Sequence, residues 1–307
     1  MPNPASGTAF GPMLAIAAEQ YTPPAQRLVQ DELAVQFLPP TFKTLARMFR
    51  WPPLRKWMFR VSEKRGRGVW GGVLCRKRYI DDKLVEALKE DIQAVVNLGA
   101  GFDTRLYRLP GVSAQPVFEI DLPENIAYKK GKLEQVFGQV PAHVQLVPVD
   151  FSQQELGDVL SSSGYDNQMT TFFICEAVTQ YLPEPAVHKI FEFLSQAQAG
   201  SRLAFTYICQ DFMDGRAIQG AELLYQEYRL KTQLWQFGFA PEQVAEFLSR
   251  YSWMELEQVG STEYTARYLQ PCGRIMPVME IERAVYATKV QAGGIQNDIN
   301  GSTSMRT

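Results

Sequence analysis

The chain offers chemistry first in the run AVVNLGAGFDTRLYRL (94–109), where an apolar stretch passes directly into Gly99-Ala100-Gly101 and then into a helical pattern. Glycines at such a turn let the backbone approach a ligand, and the helix start offers N–H groups without partners. A plain tight turn would be written the same way, so the spacing gains meaning only from acids placed at the ends of the later strands. Asp121 ends the next strand-like run, PVFEID, twenty residues after Gly101. An acid left open there can accept hydrogen bonds from both hydroxyls of a ribose. Asp150 ends VQLVPVD, and Glu176 comes directly after TTFFIC. The carboxyl ends of parallel strands line one crevice, so Asp121, Asp150 and Glu176 are expected to converge on it. Capping of the following helix is the competing use for Asp150. Glu176, beside an apolar run, needs a cationic partner.

Two nucleoside cofactors compete for such a crevice. A dinucleotide-binding turn carries a third glycine for close packing beside a pyrophosphate, and Thr104 stands in its place. S-adenosyl-L-methionine has no pyrophosphate and makes no such demand, so it is the expected cofactor. A nicotinamide-dependent oxidoreductase and a ligand-binding protein without catalysis are the other readings. His143 and His188 are the only histidines, and Cys75, Cys175, Cys209 and Cys272 have no C-x-x-C spacing. No metal centre, disulfide framework or histidine-based triad is expected, and a reducing, cytoplasmic setting fits.

The elements that position these residues alternate. Strand candidates are 94–98, 116–121, 144–150, 170–175 and 202–208, with helical patterns at 101–109, 123–137 and 184–196 between them. Late in the chain 253–259 and 282–290 come without a long helix between them, which predicts an antiparallel closing strand. The fold class is therefore α/β, a Rossmann-like sheet of seven mostly parallel strands. Helices are expected at 28–38 and 82–89, and residues 1–75 read as helical pieces forming a lid over the domain 76–290. Within that domain 210–250 reads as an aromatic-rich helical insertion, and 291–307 as a disordered tail. The N-terminus carries no secretory pattern, and no apolar run reaches the roughly 18 residues of a membrane span.

The runs RKRYIDD (76–82), VVNLGAGFDTRLYRL (95–109), FEIDLP (118–123), VPVDF (147–151), CEAVTQYLP (175–183) and WQFGFAPEQVAEFLSRYSWMELE (235–257) together resemble the leucine carboxyl methyltransferase family. The resemblance extends over roughly residues 10–288. That family includes enzymes that methylate the C-terminal carboxylate of a protein phosphatase, carboxyl O-methyltransferases of polyketide pathways, and many bacterial members. The resemblance implies that Gly99 and Gly101 approach the methionine part of the cofactor, that Asp121 holds the ribose, and that Asp150 and Phe151 meet the adenine. It further implies that Glu176 takes the amino group and that an arginine of the RKRYIDD run, Arg78 in preference to Arg76, takes the carboxylate. Ala177 stands where many bacterial members have glycine.

Methyl transfer to a carboxylate needs no general base, because the nucleophile is already ionised; a phenol would need one, and none stands out. The expected acceptor is a small apolar acid, with a protein C-terminus or a phenol as alternatives. Tyr181, Arg267 and Tyr268 are the expected acceptor-binding residues, Arg267 by bidentate pairing with the acid. An arginine in that run could equally pair with a neighbouring surface acid. Overall charge is near balance, 31 basic against 33 acidic residues, which gives no reason to expect nucleic acid. Residues 43–78, however, hold twelve bases and the single acid Glu63, interleaved with Phe49, Trp51, Trp57, Phe59 and Trp70. That segment is either a solvated face or a surface for an anionic acceptor, an acidic carrier protein or a membrane.

Overall fold

The computed structural model describes residues 10–151 and 153–291. Seven strands form one sheet: β1 (Ala94–Leu98), β2 (Val117–Asp121), β3 (Val144–Pro148), β4 (Thr171–Cys175), β5 (Arg202–Ile208), β6 (Trp253–Val259) and β7 (Glu282–Lys289). Their order is β3-β2-β1-β4-β5-β7-β6. β7 runs antiparallel to both β5 and β6, and the other pairings are parallel. The seven-stranded, mostly parallel expectation is met, and each predicted strand falls within about two residues of its position, the usual latitude of element ends.

β1, β2 and β4 are buried along their whole length, as expected of strands covered on both faces. Val95, Phe172 and Ala204 point into one apolar layer with helices α1 (Phe10–Glu19), α2 (Ala34–Phe37), α3 (Pro40–Met48), α4 (Pro52–Arg65) and α5 (Val69–Ala87). The short helix α6 (Arg105–Arg108) and the longer α7 (Pro123–Phe137), which comes after β2, share that side. Val96, Phe173 and Leu203 point the other way, against α8 (Leu156–Ser162) and α9 (Glu184–Ser195). A third apolar group gathers above the strand ends. Phe212 of α10 (Gln210–Met213), Leu224 of α11 (Glu222–Leu224) and Trp235 belong to it. α12 (Val244–Ser249) and α13 (Ser261–Tyr264) complete the chain order.

Several expectations need correction. Only 34–37 of the predicted helix 28–38 is helical, because the Asp31 carboxylate accepts the Ala34 N–H and Pro39 ends the turn. The helix expected at 82–89 is the end of α5, which begins at Val69, so the expected boundary at 75/76 falls inside a helix. Segment 210–250 is mostly loops and short turns, including a wide turn over Tyr225–Lys231, because it packs aromatics over the site rather than burying one helical stripe. The tail expected at 291–307 lies, beyond residue 291, outside the described residues. Among the described residues no helix is long and apolar enough to cross a membrane.

Candidate functional site

β1 leads on to β2 and β3 on one side of the sheet, while β4 and β5 lie on the other, so the sequence order reverses between β1 and β4. Open α/β sheets bind ligands at such a reversal. A cavity of about 730 Å³ opens there, lined by Gly99, Gly101, Asp121, Asp150, Phe151 and Glu176. All six expected strand-end residues therefore meet in one place. Gly99 has φ +68°, and a side chain there would strike Val178. Its lack of a Cβ keeps the first turn of the crevice open. Ala177 also sits at positive φ, 56°, held by an N–H donated to Thr206 Oγ1 at 2.8 Å. The glycine common at that position in the family the sequence resembles would relieve this strain.

Asp121 is not the open acid expected from its position. It is buried, and its carboxylate accepts the Gly101 N–H at 2.5 Å, the Leu122 N–H at 2.7 Å and the Asn125 side-chain amide at 2.7 Å. These bonds fix the loop after β1 against the end of β2. Asp150 is bonded by the Gln153 amide at 2.9 Å.

At the other end of the cavity lies a buried charge network. Glu176 is met by Arg76 at 3.0 Å, by Lys77 at 3.3 Å and by Arg105. Arg76 also holds Glu282 of β7 at 2.6 Å, and Lys77 holds Asp103 at 3.0 Å. Arg105, with no exposed surface, spans Asp81, Asp103 and Glu176. Burial alone would raise the Glu176 carboxyl, but Lys77, Arg105 and Arg76 outweigh it and hold the group down at about 2. For Asp103 burial likewise pushes upward, and Arg105 and Lys77 carry it well below the ordinary carboxylate range. The cationic partner that Glu176 needs is thus supplied three times over by the protein itself.

Of the two arginines of the RKRYIDD run, the one that faces the cavity is Arg76. Arg78 lies on the outer face of α5, paired with Asp82 at 2.7 Å, and does not line the cavity; Arg76 does. Residues two apart on a helix face roughly opposite directions, so only one of the pair can point inward. Arg267 and Tyr268 are also misplaced. Arg267 pairs with Glu257 and lies over the Tyr79 ring, and Tyr268 sits under Arg78. They come after β6, the edge strand three places from β4, about 14 Å across the sheet. Tyr181 does line the cavity.

Sequence reasoning missed Asn97, Gln180 and Trp235. All three are buried and line the cavity, and Asn97 Nδ2, Gln180 Oε1 and Trp235 Nε1 have no hydrogen-bond partner among the described residues. Buried polar atoms are rarely left unpaired, which makes these three candidates for ligand contact. Asn97 alone had a signal, as a polar residue inside the apolar run of β1.

Residues 9–195 match the family described as leucine carboxyl methyltransferase. The chain belongs to that family. A Mycobacterium avium (strain 104) protein, provisionally named an S-adenosyl-L-methionine-dependent methyltransferase, is 33% identical over 138 residues, 45% of this chain and 46% of that protein. A second from the same strain and with the same name is 29% identical over 202 residues, 64% and 66% of the two chains. The match thus spans about half to two thirds of the length of these relatives. Among solved structures, geranyl diphosphate C-methyltransferase from Streptomyces coelicolor A3(2), crystallised with S-adenosyl-L-homocysteine, is similar at TM-score 0.49 and 12% identity, over 70% of this chain and 81% of that one. The cavity thus has carboxylates at the ends of β2 and β3 on one side and the Arg76–Glu176 pair beside β4 on the other.

Proposed function

We propose that this chain transfers the methyl group of S-adenosylmethionine to the carboxylate of a small apolar acid. The observation that carries the reading is the Arg76–Glu176 pair, a guanidinium beside a carboxylate on the cavity wall that is complementary to an amino-acid zwitterion. Arg76 takes the cofactor's carboxylate and Glu176 its ammonium, while Asn97 Nδ2 has a free donor for the same end. Gly99 and Gly101 let the methionine part lie against the backbone, Asp121 with its remaining acceptor site takes a ribose hydroxyl, and Asp150 with the Phe151 ring takes the adenine. Bound there, the cofactor supplies an electrophilic methyl on a sulfonium.

Tyr181, Trp235 and Leu224 wall the rest of the cavity, an apolar arm suited to an acceptor that is mostly hydrocarbon. Trp235 Nε1 donates to one acceptor oxygen, and Arg65 at the rim adds positive charge. Among the described residues no histidine lines the cavity. His188 is engaged instead by the Tyr251 hydroxyl at 2.5 Å. A displacement by an ionised carboxylate asks for no base: the O–CH₃ bond forms as the S–CH₃ bond breaks, the electron pair stays on sulfur, and no proton moves. The protein's contribution is to hold the oxygen in line and keep water out.

Incubation with methyl-labelled S-adenosylmethionine and a panel of aliphatic and aromatic acids tests this. The expected product releases labelled methanol in base. A base-stable methylated product would replace the carboxylate by a phenol or amine, and absence of S-adenosylhomocysteine binding by calorimetry would remove the methyl-transfer reading itself.

A further inference from the structure

α4 has fourteen residues and buries none of them, although it packs directly on the cavity. Its exposed positions between Pro53 and Lys64 are Pro53, Lys56, Trp57, Arg60, Val61 and Lys64. This i, i+3, i+4, i+7, i+8, i+11 series is one continuous helical face. The face is written in two parallel rows. Lys56, Arg60 and Lys64 repeat every four residues, and Pro53, Trp57 and Val61 repeat beside them. Trp57 is 55% exposed, and Trp51 and Met48, just before the helix, are 63% and 51% exposed. Lys56, Arg60 and Lys64, like Arg47 and Arg50 of the preceding turns, make no ion pair or hydrogen bond through their side chains among the described residues. The one acid of the segment, Glu63, turns away and accepts the Gly68 N–H at 3.0 Å.

Two exposed indoles and a methionine beside five unpaired cations are poorly matched to water, and the pairing selects among anionic partners. An acidic protein would answer the cations and leave Trp51, Trp57 and Met48 unmatched. Nucleic acid would meet the cations and stack on the indoles, but it leaves the aliphatic positions Met48, Pro53 and Val61 unmatched, on a chain with no net positive charge. The boundary of an anionic bilayer answers both rows at once, with headgroup phosphates for the bases and the upper acyl region for the indoles. The apolar row also leads inward: Val61 is exposed on the outer face and lines the cavity together with Met58, Ser62 and Arg65.

We propose that the outer face of α4 docks this protein on an anionic lipid surface, bringing the rim of the cavity to headgroup level. The acceptor is then an amphiphilic acid drawn from that surface, its charged end entering past Arg65; this second clause alone rests on the carboxylate reading above.

Docking is measured without turnover, so its failure is separate from any failure of the methyl-transfer reading. The full chain is sedimented with vesicles of phosphatidylcholine alone or mixed with phosphatidylglycerol, at low and high salt, while tryptophan emission is followed. The expected result is binding to the anionic vesicles only, weakened by salt, with a blue shift from Trp51 and Trp57. The triple variant Lys56→Glu, Arg60→Glu, Lys64→Glu should lower the partition constant by roughly a hundredfold or more. Trp57→Ala should lower it several-fold with the charge intact. Unchanged melting temperature and S-adenosylhomocysteine affinity in both variants would show that the fold and cofactor site are intact, as their exposed positions require. No binding to the anionic vesicles at low salt would overturn the proposal, as would binding that neither variant weakens. Capture of polyglutamate or transfer RNA in place of vesicles would overturn it in favour of an acidic macromolecule.

Discussion

On the floor of the cavity Arg105 has no exposed surface and divides its guanidinium among Asp81, Asp103 and Glu176; at the rim, Arg65 lies exposed with the Tyr228 hydroxyl at 3.1 Å and the Tyr228 ring beneath it. The floor is a set of paired charges, each cation held by carboxylates contributed from α5, the loop before α6 and the ends of β4 and β7. Buried ions persist only with such pairing, so the geometry is fixed before any ligand arrives. The roof is built from half-buried α4 and the loops of 212–236, with Trp235 Nε1 and Gln180 Oε1 unpaired beneath it. One end of the cavity is thus fixed by paired charges. The other is walled by a helix and loops, and it is the end we assign to the acceptor.

The largest expected effect breaks the floor. Arg105→Ala leaves three carboxylates facing a void and should destabilise the fold by about 3–5 kcal/mol, read from urea denaturation. Arg65→Ala should change stability by no more than about 0.5 kcal/mol. Similar losses in the two variants would abolish the distinction between floor and roof.

Acid titration probes the same difference next. The Glu176 carboxyl is depressed from 4.5 to about 2 in the folded protein, so the folded state binds its proton less readily than the unfolded chain. The stability it contributes is complete above the unfolded value and is lost as pH falls toward the folded one. The amount is on the order of 3 kcal/mol if the whole shift is realised. Wild type should therefore lose stability between about pH 5 and about pH 2 more steeply than Glu176→Gln. Parallel curves for the two proteins would mean that Glu176 is not held ionised by its three cations.

Of the floor, Glu176 was legible in the sequence, as were Asp121 and Asp150 at the other end of the cavity, while Lys77, Asp103, Arg105 and Glu282 were not. Residues at strand ends are placed by the strand pattern itself, so Asp121, Asp150 and Glu176 converge wherever the sheet is parallel. Arg76 and Arg78 could not be told apart while the helix was read as starting at Asp82. Continued back to Val69, the periodicity sets Arg78 beside Asp82 as an exposed i, i+4 pair and leaves Arg76 inward. The roof offered no such handle. Which aromatic of 210–250 faces the cavity depends on loops stitched to other loops, as where Gln236 donates its N–H to the Gln180 carbonyl at 2.7 Å. Neither period 2 nor period 3.6 encodes that contact, and Trp235 and Tyr228 could not be chosen over Tyr225 or Phe237.

A smaller effect is expected from Trp235→Phe, which keeps the ring and removes the unpaired N–H. If that N–H meets an acceptor oxygen, KM for the acceptor should rise by roughly fivefold to tenfold, the worth of about 1–1.5 kcal/mol. The affinity for S-adenosylhomocysteine should not move. A change in cofactor affinity with KM unaltered would place Trp235 with the floor.

The smallest effect belongs to Arg267, the residue whose type argued most strongly for acceptor binding and whose position argues against it. Its guanidinium is already committed to Glu257, whose carboxylate is also met by Lys83 at 3.1 Å and by the Tyr79 hydroxyl at 3.1 Å. Burial would raise the Glu257 carboxyl, but the Arg267 and Lys83 contacts hold it at about 2, so this is an ordinary structural cluster in a partly exposed setting. Removing one of three partners there leaves the carboxylate satisfied. Arg267→Ala should cost no more than about 1 kcal/mol of stability, read from urea denaturation, and that cost should shrink as salt is added. KM for the acceptor and affinity for S-adenosylhomocysteine should both match wild type. A rise in acceptor KM alone would require the chain after β6 to swing toward the cavity during turnover, and the roof would then include a moving part that the present contacts of Arg267 hold in reserve.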